Sequence, residues 1–406
     1  MVTVGKDRKK MQIIQGQYNT AKVFATTIEE SCKKQILELC DESWTKDSKI
    51  RIMPDCHSGK GCVIGTTMSI IDKCVPNMVG VDIGCGMLTT KFRSIKLDLK
   101  IVDDIIKCNI PLGRNIRDHI AHDFTSELND LYTVKKYVNF DKVNHSIGSL
   151  GGGNHFCEID KDEDDCFYLV IHTGSRNFGK RVAEFYQDKA VKYHKDTHKD
   201  DVQQIINDMK ANGQQKQIAD MLSERSKVAN DELCYLEGPL FNSYLHDMKI
   251  AQRLATMNRK IIADILCHRL HIVPIEQFET VHNYIDTDEM MLRKGAISAK
   301  KDEKVLIPIN MFDGSLICIG KGNPDFNSSA PHGAGRLMSR KEAKRRLNLD
   351  DFRDTMKDIY STTVNESTLD EAPDAYKPIA EILENIKETV DVIKHIKPIY
   401  NIKSDE

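Results

Sequence analysis

The sequence predicts an α+β fold, a mixed β core with flanking helices and a helical insertion. Three observations predict it. Short β-branched segments punctuated by glycine dominate residues 50–180 and return at 292–335. Stretches with helical periodicity fill 178–270 and dominate again from 340 to the end. Regular strand–helix alternation, the mark of a doubly wound sheet, is absent. The 406 residues are enough for a sizeable core and are expected to form a single catalytic domain, 1–406, with the helical excursion at about 178–270.

The elements follow in order. The N-terminus, MVTVGKDRKK, is charged and lacks the apolar stretch of a signal peptide. No apolar run approaches the roughly 18 residues of a membrane span, so a cytosolic protein is expected, or a nuclear one in a eukaryote. Gly59, Gly61, Gly65, Gly80, Gly84, Gly86 and the Gly148–Gly153 stretch sit between short apolar strands. CFYLVI at 166–171 reads as a buried strand, and DKDEDD at 160–165 as a solvated hairpin turn before it. Phe241, Leu245, Met248, Ala251, Ala255, Ile262 and Ile265 fall near one helical face. Residues 196–232, rich in Lys, Asp and Gln, read as an exposed helical excursion.

Composition excludes several classes. Hydrophobic residues make up 40% and charged residues 29%, which rules out long-range disorder. With 58 basic and 61 acidic residues the net charge is -3, so nucleic acid could be held only through a local patch, not by bulk charge. The 12 cysteines contain no C-x-x-C pair, which argues against zinc ribbons and thioredoxin motifs. A reducing compartment argues against disulfides. Cys32, Cys40, Cys234 and Cys267 are expected to be inert thiols.

Metal-capable residues concentrate beside glycines. Asp82 and Cys85, in VGVDIGCGM, are spaced so that one tight turn aims a carboxylate and a thiolate at one point. A thiolate can bridge two cations. His155, in GGGNHFCE, and His172, in IHTGSR, are 17 residues apart, which suits adjacent strands joined by the acidic hairpin. His282, in HNY, could complete a set of one carboxylate, one thiolate and three imidazoles. Such donors leave zinc, manganese and iron open. His332 precedes a Gly-Ala-Gly-Arg turn and a basic stretch, Arg336, Arg340, Lys341, Lys344, Arg345 and Arg346. At helical spacing 336, 340 and 344 share a face. A histidine at a glycine turn with arginines behind it suits phosphate chemistry, and imidazole can be the nucleophile on phosphorus. No Walker motif is present.

MPDCHSGKG, VGVDIGCGM, GGGNHFCE, IHTGSR, HNY, RKGAISA and HGAGRLMSR occur in this order. Together, over about residues 50–403, the chain resembles the RtcB family of RNA-splicing ligases. The resemblance implies joining of RNA 2′,3′-cyclic phosphate or 3′-phosphate ends to 5′-hydroxyl ends, in tRNA splicing or RNA repair, with GTP and two manganese ions. It matches Asp82, Cys85, His155, His172 and His282 to metal ligands, with Cys85 bridging, and His332 to the histidine that carries GMP. Arg176 and Arg336 match phosphate holders, and Asp55 either assists proton transfer or holds a turn. Nucleotide contacts are expected over Asn154, His155, Phe156, Cys157 and Glu158, over His282 and Asn283, and over Pro308, Ile309, Asn310, Met311 and Ser315. They continue at His332, Gly333, Ala334 and Gly335 and at Tyr376 and Lys403. The implied partner is RNA carrying those ends, tRNA halves or damaged RNA, and a monomer is expected.

The chain departs from the family pattern in places. Where many members read Pro-Gly-Ser-Met-Gly, it reads Pro308-Ile309-Asn310-Met311-Phe312. Asn310 is expected to keep a hydrogen bond to nucleotide, and Ile309 and Phe312 to crowd a close backbone approach. Pro331 restricts Ala330 and removes an amide donor. Two other readings compete with a ligase: a binuclear metal cyclic phosphodiesterase, and a non-catalytic RNA-end binding protein.

Overall fold

The computed structural model describes residues 2–4, 11–26, 28–93, 96–211, 218 and 230–404. Two seven-stranded sheets carry the β core. The first runs Val2–Val4, Gln12–Gln15, Thr20–Val23, Ile50–His57, Ile64–Ser69, Met291–Lys294 and Tyr284–Asp286. Thr20–Val23 pairs in parallel with Ile50–His57, and the other neighbours are antiparallel, so the sheet is mixed. The second is antiparallel throughout: Pro274–Val281, Gly86–Phe92, Phe167–Thr173, Phe156–Lys161, Val390–Lys403, Gly314–Gly320 and Lys304–Asn310. Helices flank these sheets, giving the α+β class that the sequence predicts.

Period-two alternation decides which side chains of the second sheet meet the site. Cys157, Ile159, Leu169, Ile171 and Ile402 pack in a layer with Ile262, Ala263 and Leu266 of the helix Gly238–Arg269. Burying each large aliphatic side chain there contributes about 1.5–3 kcal/mol. Alternation then turns Phe156 and Glu158 to the other face. His172 is the cross-strand partner of Phe156, and Asn401 and Lys403 are those of Glu158 and Phe156. That face becomes the floor of the pocket described below.

The helical stripe is as read at Phe241, Met248, Ala251, Ala255 and Ile262, all buried, while Leu245 and Ile265 are half-buried at its edge. Of the predicted excursion at 196–232, residues 212–217 and 219–229 lie outside the described residues. The helix Arg176–Ala211 leads into it.

Two readings need correction. The chain does not stay helical to its end: Val390–Lys403 is a 14-residue strand in the middle of the second sheet. Ile393, Ile396 and Tyr400 recur at three- and four-residue steps and mimic a helix, but the β-branched residues favour a strand. Pro398 is accommodated where the register shifts before Tyr400. The acidic hairpin is only partly solvated. Asp160 and Asp162 are 0% and 5% exposed, and the open turn is Glu163–Asp165.

Candidate active site

The Cys85 turn is clamped from several sides. The Cys85 amide donates to Asp82 O at 3.2 Å, closing the turn. The His282 amide donates to Cys85 O at 2.8 Å, and the Gly84 amide to Asn283 O at 2.9 Å. Gly84 has φ +70°, and a Cβ there would lie 2.9 Å from Gln252 Cα on the long helix, so only glycine allows this approach. From the same helix the buried Arg259 donates to Gly84 O at 2.9 Å, to Thr173 O at 2.5 Å and to Glu279 at 2.7 Å. One guanidinium thus ties together the turn and two strand ends.

Around this turn the predicted ligands converge. His155 Nε2 lies 2.9 Å from Asp82 Oδ2 and 3.4 Å from Cys85 Sγ. His172 Nε2 lies 3.3 Å from Cys85 Sγ, while its Nδ1 lies 3.1 Å from Asn154 O. A carbonyl can only accept, so Nδ1 carries the proton and Nε2 keeps a lone pair for a cation. Ligand atoms of Asp82, Cys85 and His155 all lie within 4.8 Å of one another, and so do those of Cys85, His172 and His282. Cys85 is common to both groups.

Electrostatics favour a cation here. Burial, reinforced by neighbouring His155 for His172 and by His332 for His282, holds both imidazoles well below the usual histidine value, so they are neutral donors. Burial would raise the Asp82 carboxyl, but the His155 hydrogen bond and charge outweigh it and hold it at about 2. Burial and then Asp82 push the Cys85 thiol well up, so a bound cation is needed to make the thiolate. His155 Nδ1 and His282 Nδ1 are buried without a partner. The donor set therefore fits metal.

His332 stands at the end of this cluster. The rings of His155, His172, His282 and His332 form a row with centroid separations of 5.4, 5.3 and 5.0 Å. His332 Nδ1 lies 2.7 Å from Asp55 Oδ2, and its backbone amide donates to the same oxygen at 3.2 Å. A carboxylate accepts, so Nδ1 is protonated and Nε2 is left with its lone pair. Asp55 is 1% exposed and lies on the strand Ile50–His57, with its carboxylate against the His332 ring.

The family described as "tRNA-splicing ligase RtcB" matches residues 43–142 and 128–404. The chain belongs to the RtcB family. It is 29% identical over 397 residues to "RNA-splicing ligase RtcB" of Escherichia coli K12, covering 87% of this chain and 90% of that protein. It is 25% identical over 451 residues to "tRNA-splicing ligase RtcB" of Nanoarchaeum equitans, with 87% of each covered. The Thermococcus kodakarensis protein named "tRNA-splicing ligase RtcB" is 25% identical over 426 residues, with 86% of each covered.

Beside the cage of this RtcB-family chain lies a cavity of about 200 Å³. Its floor is Phe156, Glu158, Ser315, Asn401 and Lys403, and one wall is Pro308–Met311. The other wall is His332–Arg336 with Tyr376, and His172 and His282 close the deep end. Ser315 Oγ and Asn401 Oδ1 are buried without partners, which suits a polar ligand. Of the residues expected to touch nucleotide, His155, Cys157 and Asn283 do not line this cavity. Cys157 packs in the helix-covered layer, and Asn283 holds the Gly295 amide at 2.8 Å. Asn310 is committed elsewhere: Oδ1 accepts from the Phe312 and Asp313 amides at 2.9 and 2.8 Å, and Nδ2 donates to Asp313. Phe312 is exposed and outside the lining, whereas Ile309 and Met311 line it. Pro331 ends a short strand, Ser329–Pro331, and the amide that matters to the site belongs to His332.

The basic stretch is not the helix face that spacing suggests. Its helix is Arg340–Arg346, so Arg336 lies before it. Arg336 stacks over Tyr376 at 4.9 Å and donates to Glu371 at 3.3 Å. Arg340 reaches Asp370 and Glu371 at 2.7 and 2.6 Å, and Lys344 reaches Asp370 at 3.3 Å. Arg176 donates to Ser149 Oγ at 3.0 Å and Gly113 O at 2.7 Å, on the far side of the cage. Sequence reasoning missed His57, whose Nδ1 lies 3.1 Å from Asp55 O and which lines the cavity. It also missed Glu371, which no motif marks.

Two predictions arise here. Burial would raise Glu371, but the charges of Lys403 and Arg340 and the Tyr376 hydroxyl hold it from the usual 4.5 down to about 2. A depressed carboxylate stabilises the fold above its unfolded value, and that stability is lost as pH falls through its folded value. Glu371→Gln should therefore lower stability by about 3 kcal/mol at pH 7, with the gap to wild type closing as pH drops from about 4.5. Urea unfolding at stepped pH checks both the size and the sign. The second concerns Gly174, where a Cβ would lie 2.1 Å from Asp82 Oδ1. A carboxylate tip can swing aside, so Gly174→Ala should change stability by less than about 1 kcal/mol yet weaken metal at the Asp82–His155 site by at least about tenfold. Calorimetric metal titration of the variant measures this.

Proposed function

We propose that the protein is a GTP-dependent RNA ligase that joins 2′,3′-cyclic phosphate or 3′-phosphate ends to 5′-hydroxyl ends. The observation that carries this reading is the Asp55-oriented His332 standing 5.0 Å, ring to ring, from a ligand of the metal cage. An imidazole with a free Nε2 beside a cation cluster and a pocket with unpaired polar atoms suits nucleotidyl transfer.

Two manganese ions, held by Asp82, Cys85 and His155 and by Cys85, His172 and His282, would neutralise phosphate charge and lower the pKa of a bound hydroxyl. The residues of the chain do the rest. His332 Nε2 attacks the α-phosphorus of GTP, and the bridging oxygen leaves with its electron pair as pyrophosphate. The charge that the ring gains faces Asp55, which keeps the Nδ1 proton in place. An oxygen of the RNA 3′-phosphate, freed by water if it was cyclic, then takes GMP from His332 and breaks the P–N bond. The 5′-hydroxyl oxygen attacks the RNA phosphorus, its proton passes to solvent, and GMP departs. A phosphate monoester lacks a good leaving group, and this transfer supplies one.

The substrate is RNA with such ends, tRNA halves or damaged RNA, and the chain acts as a monomer. Among the described residues no helix is long and apolar enough to cross a membrane. All 12 cysteines are free, and the location proposed with this activity is the cytoplasm. The test is multiple-turnover sealing of a nicked stem-loop bearing cyclic-phosphate and 5′-hydroxyl ends, with manganese and GTP or ATP. Sealing only with GTP is expected. Opening of the cyclic phosphate without sealing and without a nucleotide requirement would instead make the protein a binuclear phosphodiesterase. Binding of the RNA ends with no chemistry would make it a sensor.

A further inference from the structure

Two carboxyl groups share one face of the strand Phe156–Lys161. Glu158 belongs to the cavity floor, and Asp160, two residues on, is 0% exposed and outside the lining. Alternation puts both on the Phe156 side of the sheet. Asp160 has poor company there. Tyr168, opposite it on one adjacent strand, gives its hydroxyl to Asp162 at 2.8 Å. Pro398, opposite it on the other, has no N–H to give. No donor among the described residues reaches either Asp160 oxygen. What stands beside it is the Glu158 carboxyl, close enough to share a proton.

Two buried carboxyl groups in contact do not both ionise. Glu158 has other support: Asn401 Nδ2 donates to its Oε2 at 2.5 Å, and Lys403, two residues along the same strand, lends positive charge. Asp160 has none. Burial and then the Glu158 charge hold its carboxyl well above the usual range, so the proton rests on Asp160 and is donated to Glu158.

The cavity side of this pair is rich in acceptors. Asn401 spends its Nδ2 on Glu158, which leaves its Oδ1 buried without a partner, and Ser315 Oγ is unpaired beside it on the floor. Lys403 Nζ is committed to Glu371 at 2.9 Å. A nucleotide places its phosphates at the His332 and cage end, which leaves its base for the Glu158 end, about 7 Å further along the strand from Phe156. A base that pairs with this floor must bring N–H groups. Guanine brings them at N1 and N2, whereas adenine brings a bare N1 and a single amino group.

We propose that Asp160 is a positioning residue for purine selection: its hydroxyl donates to Glu158 and so keeps Glu158 a charged acceptor for the N1–H and N2–H edge of guanine. That a nucleotide fills the cavity rests on the ligase reading; the shared proton does not. Without Asp160 the proton moves to Glu158 itself, one acceptor oxygen becomes a donor, and the floor loses its preference for guanine.

The test titrates full-length protein, with manganese, against GMP and AMP by calorimetry. Neither nucleotide carries a pyrophosphate to release, so neither labels His332. Wild type should prefer GMP. Asp160→Leu should weaken GMP roughly tenfold and leave AMP within about twofold, the loss expected for one hydrogen bond to a charged group. Leucine suits the apolar layer of Val170, Ile317 and Ile396 on this face, so the variant should fold. Asp160→Asn, whose amide gives Glu158 an N–H that cannot titrate, should keep the wild-type preference. The infrared difference between wild type and Asp160→Asn at pH 7 should show the C=O stretch of a neutral carboxyl group, and this measurement decides even if Asp160→Leu does not fold. Equal weakening of GMP and AMP by Asp160→Leu would mark a purely structural role and overturn the proposal. So would an Asp160→Asn variant that discriminates no better than Asp160→Leu, or a spectrum without that band. Wild type that binds neither nucleotide would refute the ligase reading and the proposal with it. Wild type that prefers GMP, with Asp160→Leu preferring it equally, would refute the role of Asp160 alone.

Discussion

Cys85→Ala should empty both cation sites at once, with affinity falling at least about a hundredfold at each. Removing any one of the histidines should spare one site. The reason is geometric: Cys85 Sγ belongs to both ligand groups, whereas His155 serves one and His172 and His282 the other. The variant should still fold. Without a cation the buried thiol is protonated, so its loss strands no charge. Deleting one small buried group of this kind changes stability by about 1 kcal/mol. Metal content per chain after dialysis, by mass spectrometry, separates the outcomes. Retention by Cys85→Ala equal to that of His155→Ala would remove the bridging role.

His332→Ala should abolish sealing, a loss of at least about a thousandfold, while leaving metal content intact. His332 is not in either ligand group, yet its ring lies 5.0 Å from that of His282. Asp55→Asn should act through the same ring. An amide can donate as well as accept, so it no longer fixes the proton on Nδ1, and a loss of about a hundredfold or more is expected. Sealing rates of both variants, measured beside their metal content, distinguish a nucleophile from a ligand. Metal loss in His332→Ala would move that residue into the cage.

Much of this site was legible in the sequence, for identifiable reasons. A D-x-x-C turn between glycines can fold in few ways, and a 17-residue gap across an acidic hairpin places His155 and His172 side by side. The second sheet was harder. Val390–Lys403 mixes charge with apolar residues because only parts of it are buried, and that obscures its alternation. Reading Asn154–Glu158 as one continuous contact ignored the pleat: Phe156 and Glu158 face the cavity, and Cys157 faces the helix. Partners far apart in the chain leave no local trace. Nothing near Glu371 marks it as the anion for Lys403, Arg336 and Arg340, and nothing near Asn310 shows that Asp313 holds it.

The account depends on one pocket serving both as a cage for two cations and as the place where an imidazole carries a nucleotide. Incubating the protein with manganese and GTP labelled at the α-phosphorus, then mapping the label by peptide mass spectrometry, addresses this most directly. The account predicts GMP on His332 through an acid-labile, alkali-stable bond, absent from His332→Ala and strongly reduced in Cys85→Ala. Label on another residue, or equal labelling of His332→Ala and wild type, would contradict it.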